Sequence, residues 1–199
     1  MGRSKADGGA GVRTRILAAA CDLFAEQGYD ATSVQQVVDR AGVTKGGLYH
    51  YFGAKEDLLV EMYRAVFSER LAALDAILAQ GRDPEWTLRA IIDDIVVGTA
   101  AMRRESAAVS RELATMDSGR TQRLQADWRR YQEAVRGLIR QAQQDGVFSP
   151  VASPEVVSWS IFGVTNSLHT WFRPDGPKPP EVIARELADF VLAGLKATA

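Results

Sequence analysis

The chain has 199 residues, with 24 Lys and Arg against 25 Asp and Glu, a single cysteine and 46% hydrophobic residues. That makeup fits one globular domain, or a small one joined to a larger one, and excludes a collagenous, low-complexity or disulfide-framed chain. No apolar run reaches the roughly 18–20 residues of a membrane span, and the net charge of −1 gives no general affinity for nucleic acid. The charge is uneven, however: residues 1–55 hold seven basic and five acidic side chains, a balance of +2, which leaves −3 for the remainder. The first residues, "MGRSKADGGAGVR", are polar and Gly-rich with no apolar segment, so residues 1–11 are expected to be a flexible arm and the protein cytoplasmic.

From residue 12 onward the hydrophobic period is helical throughout. Val12, Ile16, Leu17, Ala20, Leu23 and Phe24 share a face that Gly28 closes. Thr32 and Ser33 each have a glutamine three residues on, so either is placed to form a capping box for a second helix ending at Gly42. A short third helix covers "TKGGLYHYF". Ala54 to Gln80 reads as one long helix with Leu58, Leu59, Met62, Val66, Leu71, Leu74 and Leu78 inward. "GRDPEW" breaks it, and Pro84 suits the first turn of the next helix, to Arg104, striped by Leu88, Ile91, Ile92, Ile95 and Val96. Helices at 105–116 and 118–145 follow, the second with Trp128, Tyr131, Val135, Leu138 and Ile139 on one side. Pro154 to Phe172 is the most apolar helix, and Pro180 to Lys196 is amphipathic across the loop "RPDGPKPP". The expected class is all-α, with about nine helices and no strand signal.

Two adjacent glycines, Gly46 and Gly47, lie inside the third helix, and each costs about 1 kcal/mol relative to alanine. Three short helices over residues 12–55, with a turn at "AGV", have the layout of a helix-turn-helix, whose second helix enters the major groove. Small residues there let the backbone approach a duplex, while hydroxyl, ammonium and imidazole groups donate to phosphates. Residues 15–59, "RILAAACDLFAEQGYDATSVQQVVDRAGVTKGGLYHYFGAKEDLL", resemble the DNA-binding domain of TetR-family transcriptional repressors, with the blocks "LFAEQGYDATS", "AGVTKGGLYHYF" and "KEDLL" at the family's spacing. The resemblance implies DNA contacts by Thr44, Lys45, Tyr49, His50 and Lys55, with Gly46 at a small position and Leu48 as packing anchor. Thr32, Ser33 and Gln35 complete the candidate DNA-facing set. Gly47 departs from the many relatives with a polar side chain there, which shifts base readout toward Gln35, Thr44 and Lys45 or toward DNA shape. Tyr51 and Phe52 are expected in the core.

By the same resemblance, residues 56–199 form a helical ligand-binding and dimerisation domain whose last two helices pair with a second copy, through Val157, Ile161, Val164, Leu168, Phe190 and Leu195. Residues 161–195 look like the end of the family's acyl-CoA-responsive branch, repressors of fatty-acid or steroid catabolism: Asn166, Trp171-Phe172 and the "PDG" turn carry the likeness, and Ser167 replaces a common tryptophan. An acyl-CoA needs an apolar tunnel and cations at its mouth. Met102, Met116, Trp128, Tyr131 and Phe162 are tunnel candidates, with Asn166 and His169 as polar groups sharing a face. Arg103, Arg104, Arg111, Arg129, Arg130 and Arg173 are candidate phosphate partners.

The expected function is therefore a repressor that binds a near-palindromic double-stranded DNA operator as a homodimer and is released by a small hydrophobic effector, with an acyl-CoA thioester as the leading candidate. A regulator of drug efflux with a pocket for aromatic or cationic compounds is the alternative. A helical protein-interaction adaptor lies outside that class. No nucleophile elbow, phosphate-cradling loop or zinc-binding histidine pair is present in the sequence, so neither an enzyme nor a cofactor or metal is expected. Asp93 and Asp94 read as ordinary helix-surface acids.

Overall fold

The computed structural model describes residues 4–103, 106 and 122–196, and every regular element among them is a helix. In chain order these are α1 (Ser4–Gln27), α2 (Val34–Ala41), α3 (Lys45–Tyr51), α4 (Lys55–Leu78), α5 (Pro84–Ala101), α6 (Gln122–Gln144), α7 (Pro154–Asn166), α8 (Leu168–Trp171) and α9 (Pro180–Leu195). The expected helix at 105–116 and the first residues of the one at 118–145 lie outside the described residues. Two compact units divide within α4, between Val66 and Phe67. Residues 4–11, expected as part of an arm, instead extend α1 toward its N-terminus.

In the N-terminal unit, α1 buries Ile16, Ala19, Ala20, Leu23 and Phe24, and packs against α2 and α3. Ser33 turns out to be the α2 N-cap: its Oγ accepts from the Gln36 N–H while the Gln36 side chain accepts from the Ser33 N–H at 2.8 Å. Thr32 instead points inward, buried, donating to the Gly28 carbonyl at 2.7 Å and accepting from Gln27. Gly42 ends α2 at φ +62°, a left-handed conformation open to glycine, and the Val43 N–H returns to the Val38 carbonyl at 3.0 Å. That tight turn brings Leu48 and Phe52 of α3 into the same core as Val37 and Val38.

In the C-terminal unit, α5 is the central helix. It packs against α6, α7, α8 and α9, and its residues Leu88, Ile91, Ile92, Ile95 and Val96 are almost fully buried. Asp83 caps it, with Pro84 in the first turn. The Ser149 N–H bonds to the Leu195 carbonyl at 2.8 Å, tying the loop after α6 to the end of α9. The apolar helix expected over Pro154–Phe172 is broken at Ser167. Around the break Thr165, Ser167 and Thr170 donate their hydroxyls to the carbonyls of Ile161, Val164 and Ser167. Such back-bonding competes with the helix ladder and bends it.

Val157, Ile161 and Leu168, expected at a dimer interface together with Leu195, are all within the core of their own unit. Only Val164 and Phe190 of that expected set are exposed. The exposed large apolar side chains of α7 and α8 are instead Val156, Trp159, Val164 and Trp171.

Candidate nucleic-acid interface and effector pocket

The third helix presents two unlike sides. Leu48 is buried, while Thr44, Lys45, Gly46, Tyr49 and His50 are exposed. Thr44 is the N-cap, its Oγ1 accepting from the Gly47 N–H at 3.0 Å. A Cβ on Gly47 would stand 3.3 Å from that same Oγ1, so the glycine leaves room for the cap. A Cβ on Gly46 would meet nothing closer than 3.9 Å, which leaves the outer surface of this turn nearly bare backbone. Tyr49 is 52% exposed, an unusual position for a large aromatic ring. His50 packs edge-on against Tyr51, and Tyr51 and Phe52 sit progressively deeper.

On α2 the expected base-reading Gln35 is exposed but donates to Asp39 at 2.8 Å. Arg40 reaches Glu26 of α1 through both nitrogens, at 3.0 and 3.2 Å. Lys55 differs most from expectation. Its ammonium donates to the Tyr29 and Thr32 carbonyls, both at 2.8 Å, and lies 4.0 Å over the Tyr29 ring. Two of its three donors hold the turn between α1 and α2, so it is a clamp inside the unit before it is a surface cation.

The C-terminal unit contains a narrow, closed pocket with no room for a water molecule, lined by Phe67, Arg70, Ile95, Trp128, Tyr131, Phe162 and Asn166. Its aromatic rings meet edge to face, Trp128 and Phe162 at 5.0 Å and Phe67 and Trp128 at 5.6 Å. Four expected ligand residues, Trp128, Tyr131, Phe162 and Asn166, thus converge. Met102 caps the end of α5 and is not among the lining residues; Met116 lies outside the described residues, as do Arg104 and Arg111. His169 is not among the lining residues, and its Nδ1 donates to the Asn166 carbonyl at 2.8 Å. Arg130 pairs with Asp75.

Phe67, Arg70 and Ile95 were not expected in the lining. Arg70 donates to the Thr99 hydroxyl at 2.6 Å, and burial pulls its guanidinium below its usual pKa. Burial also raises the carboxyl of Asp94, with Arg70 acting the other way, so Asp94 is not a simple surface acid. The Tyr131 phenol is likewise pushed up, first by burial and then by the charge of Asp94. The Tyr131 hydroxyl and Asp94 Oδ2 are buried without a hydrogen-bond partner. Among the described residues no group of three or more His, Cys, Asp or Glu is placed to hold a metal, and no helix is long and apolar enough to cross a membrane.

A two-part helical chain with a three-helix reading head and a separate pocket-bearing unit is the plan of a ligand-responsive regulator. Comparison with known proteins agrees with it. Residues 16–62 match bacterial regulatory proteins of the tetR family, and residues 81–195 match the tetracyclin repressor-like C-terminal domain. The chain belongs to the TetR family of transcriptional regulators. It is 28% identical over 189 residues to the HTH-type transcriptional repressor KstR2 of Rhodococcus jostii, covering 94% of this chain and 93% of that one. The ketosteroid transcriptional regulator KstR2 of Mycobacterium tuberculosis shares the fold, with a TM-score of 0.85 at 23% identity over 94% of this chain and 95% of that one. AibR, solved in complex with isovaleryl coenzyme A and operator DNA, matches with a TM-score of 0.79 at 26% identity, over 90% of this chain and 97% of that one.

Proposed function

We propose that the protein is a cytoplasmic repressor that binds a near-palindromic operator as a homodimer and leaves it when a coenzyme A thioester enters the C-terminal unit. Residues 12–55 serve as the reading head and residues 56–199 as sensor and dimerisation domain. Thr44, Lys45, Tyr49 and His50 face the duplex. The exposed backbone at Gly46 supports a close approach there, and Ser33 and Gln35 flank it. Lys55 acts mainly by fixing the turn before α2. The observation that carries the effector reading is the aromatic pocket of Phe67, Trp128, Tyr131 and Phe162 with the half-buried Arg70 among its walls. The likeness to a regulator crystallised with isovaleryl coenzyme A supports a thioester as the ligand class.

The rings are closed on one another, so entry of an acyl group has to part them. Phe67 and Arg70 lie on α4, the helix that begins at Lys55. Moving them tilts α4 and draws the Lys55 clamp, and with it the reading head, away from the operator geometry. A ligand shifts this equilibrium only by its differential affinity for the two states. The dimer forms through the exposed apolar side chains of α7 and α8, Val156, Trp159, Val164 and Trp171, together with Phe190 of α9. A thermal-shift titration with acyl-CoAs of graded length, with free coenzyme A as control, tests the effector. Selective stabilisation by one acyl class supports the reading. Stabilisation by aromatic cations and by no thioester replaces it with a drug-responsive regulator.

A further inference from the structure

The pocket lining is mostly apolar, with Arg70, Tyr131 and Asn166 as its polar members. Tyr131 is 2% exposed, and its hydroxyl has no hydrogen-bond partner. Asp94 Oδ2 is also buried and unpartnered. Arg70 has five N–H donors, and its hydrogen bond among the described residues goes to Thr99. Thr99 can offer nothing further as a donor, because its own proton goes to the Ile95 carbonyl at 2.6 Å. The threonine therefore fixes the guanidinium, while the Tyr131 hydroxyl and Asp94 Oδ2 stay uncommitted. Buried polar groups are rarely left this way unless something else satisfies them.

We propose that Tyr131 and Arg70 in the pocket lining select effectors whose hydrocarbon group ends in a neutral oxygen, a carbonyl or a hydroxyl, over effectors ending in plain hydrocarbon. A carbonyl or hydroxyl oxygen accepts from Tyr131, with Arg70 as a second donor in the same lining. This inference rests on the pocket being the effector site, and it adds a chemical requirement to it.

The test uses the full chain and four probes: a cyclohexylacetyl group and its para-oxo counterpart, each as a coenzyme A thioester and as a methyl ester. Affinities are measured by titration for the wild type, Tyr131→Phe and Arg70→Met. The oxo probe is expected to bind about tenfold more tightly than its hydrocarbon twin, as buried donors left unpaired demand. Either variant should reduce that ratio to within about threefold. Equal binding of the pair overturns the proposal, as does a ratio that survives both substitutions, or failure of every probe to bind. An oxo preference in the methyl esters with no gain from coenzyme A supports this proposal while sinking the thioester reading. The melting temperature of unliganded Tyr131→Phe separates a binding role from a structural one. It should equal or exceed that of the wild type, because the hydroxyl has no partner to lose, and a fall of many degrees overturns the assignment.

Discussion

Lys55 shows how a cation at a helix start can be engaged within the protein. Its position, exposed by sequence and next to a helix start, suggests a phosphate contact, yet its ammonium closes the carbonyls of Tyr29 and Thr32. Lys55→Met leaves both carbonyls short of a donor and is expected to cost about 1–3 kcal/mol, read as a lower urea midpoint. The salt dependence of DNA binding should hardly change, since each phosphate contact contributes about one unit of slope. Unchanged stability with a shallower slope would return Lys55 to the phosphates. Asp94 supplies a pH-dependent counterpart. Burial raises its carboxyl pKa in the folded state, with Arg70 opposing. An acid raised on folding contributes stability that is fully present below its unfolded pKa and lost as pH rises through the folded value. Ionised Asp94 is therefore a cost at neutral pH. Asp94→Asn should raise the neutral-pH melting temperature, and the advantage should vanish below the ordinary aspartate range; a gain constant with pH would show that charge is not the cause.

At the scale of helices, α7 decides the most. Ile161 is 1% exposed in the core while Trp159, two residues earlier, is 58% exposed. Ile161→Ala should therefore cost about 2–5 kcal/mol of stability, whereas Trp159→Arg or Phe190→Glu should leave the helical circular-dichroism signal intact and convert the dimer to monomer in light scattering. Dimers persisting in both surface variants would move the interface elsewhere. The sequence placed these helices well, because apolar residues at 3.6-residue spacing locate a helix whatever surrounds it. It did not say which face of α7 turns inward, since both faces are apolar and periodicity cannot rank them. Nor did it show the break at Ser167, which depends on hydroxyls finding carbonyls. Four of the seven lining residues, Trp128, Tyr131, Phe162 and Asn166, were legible. Arg70 was not among the arginines singled out, although it falls on the same α4 face as Phe67, Leu71 and Leu74, an i, i+3, i+4, i+7 set that marks an inward position. Asp94 could not be found by spacing at all, because its significance comes from Arg70 and Tyr131 on other helices.

For the molecule as a whole, regulation requires that effector and operator affinities be linked. α4 is the helix that contributes to both compact units, Lys55 at one end and Phe67 and Arg70 beyond the division. If parting the rings is what tilts this helix, the coupling resides in the rings and not in the clamp. Linkage then makes a reciprocal demand: an effector that weakens operator binding by some factor must itself be bound more weakly by that factor when operator is present. A coupling of about 1–3 kcal/mol corresponds to roughly 5–150-fold. We expect operator titrations with and without an acyl-CoA to agree with acyl-CoA titrations with and without operator. Phe162→Ala should lower the shared factor toward unity while leaving effector-free operator affinity and its salt slope nearly unchanged, since the operator-binding state does not need the rings to open. A Phe162→Ala protein that binds effector weakly but still releases DNA by the full factor at saturation would place the mechanical link elsewhere in the pocket. In that case Arg70, on α4 itself, is the residue whose movement the effector must drive.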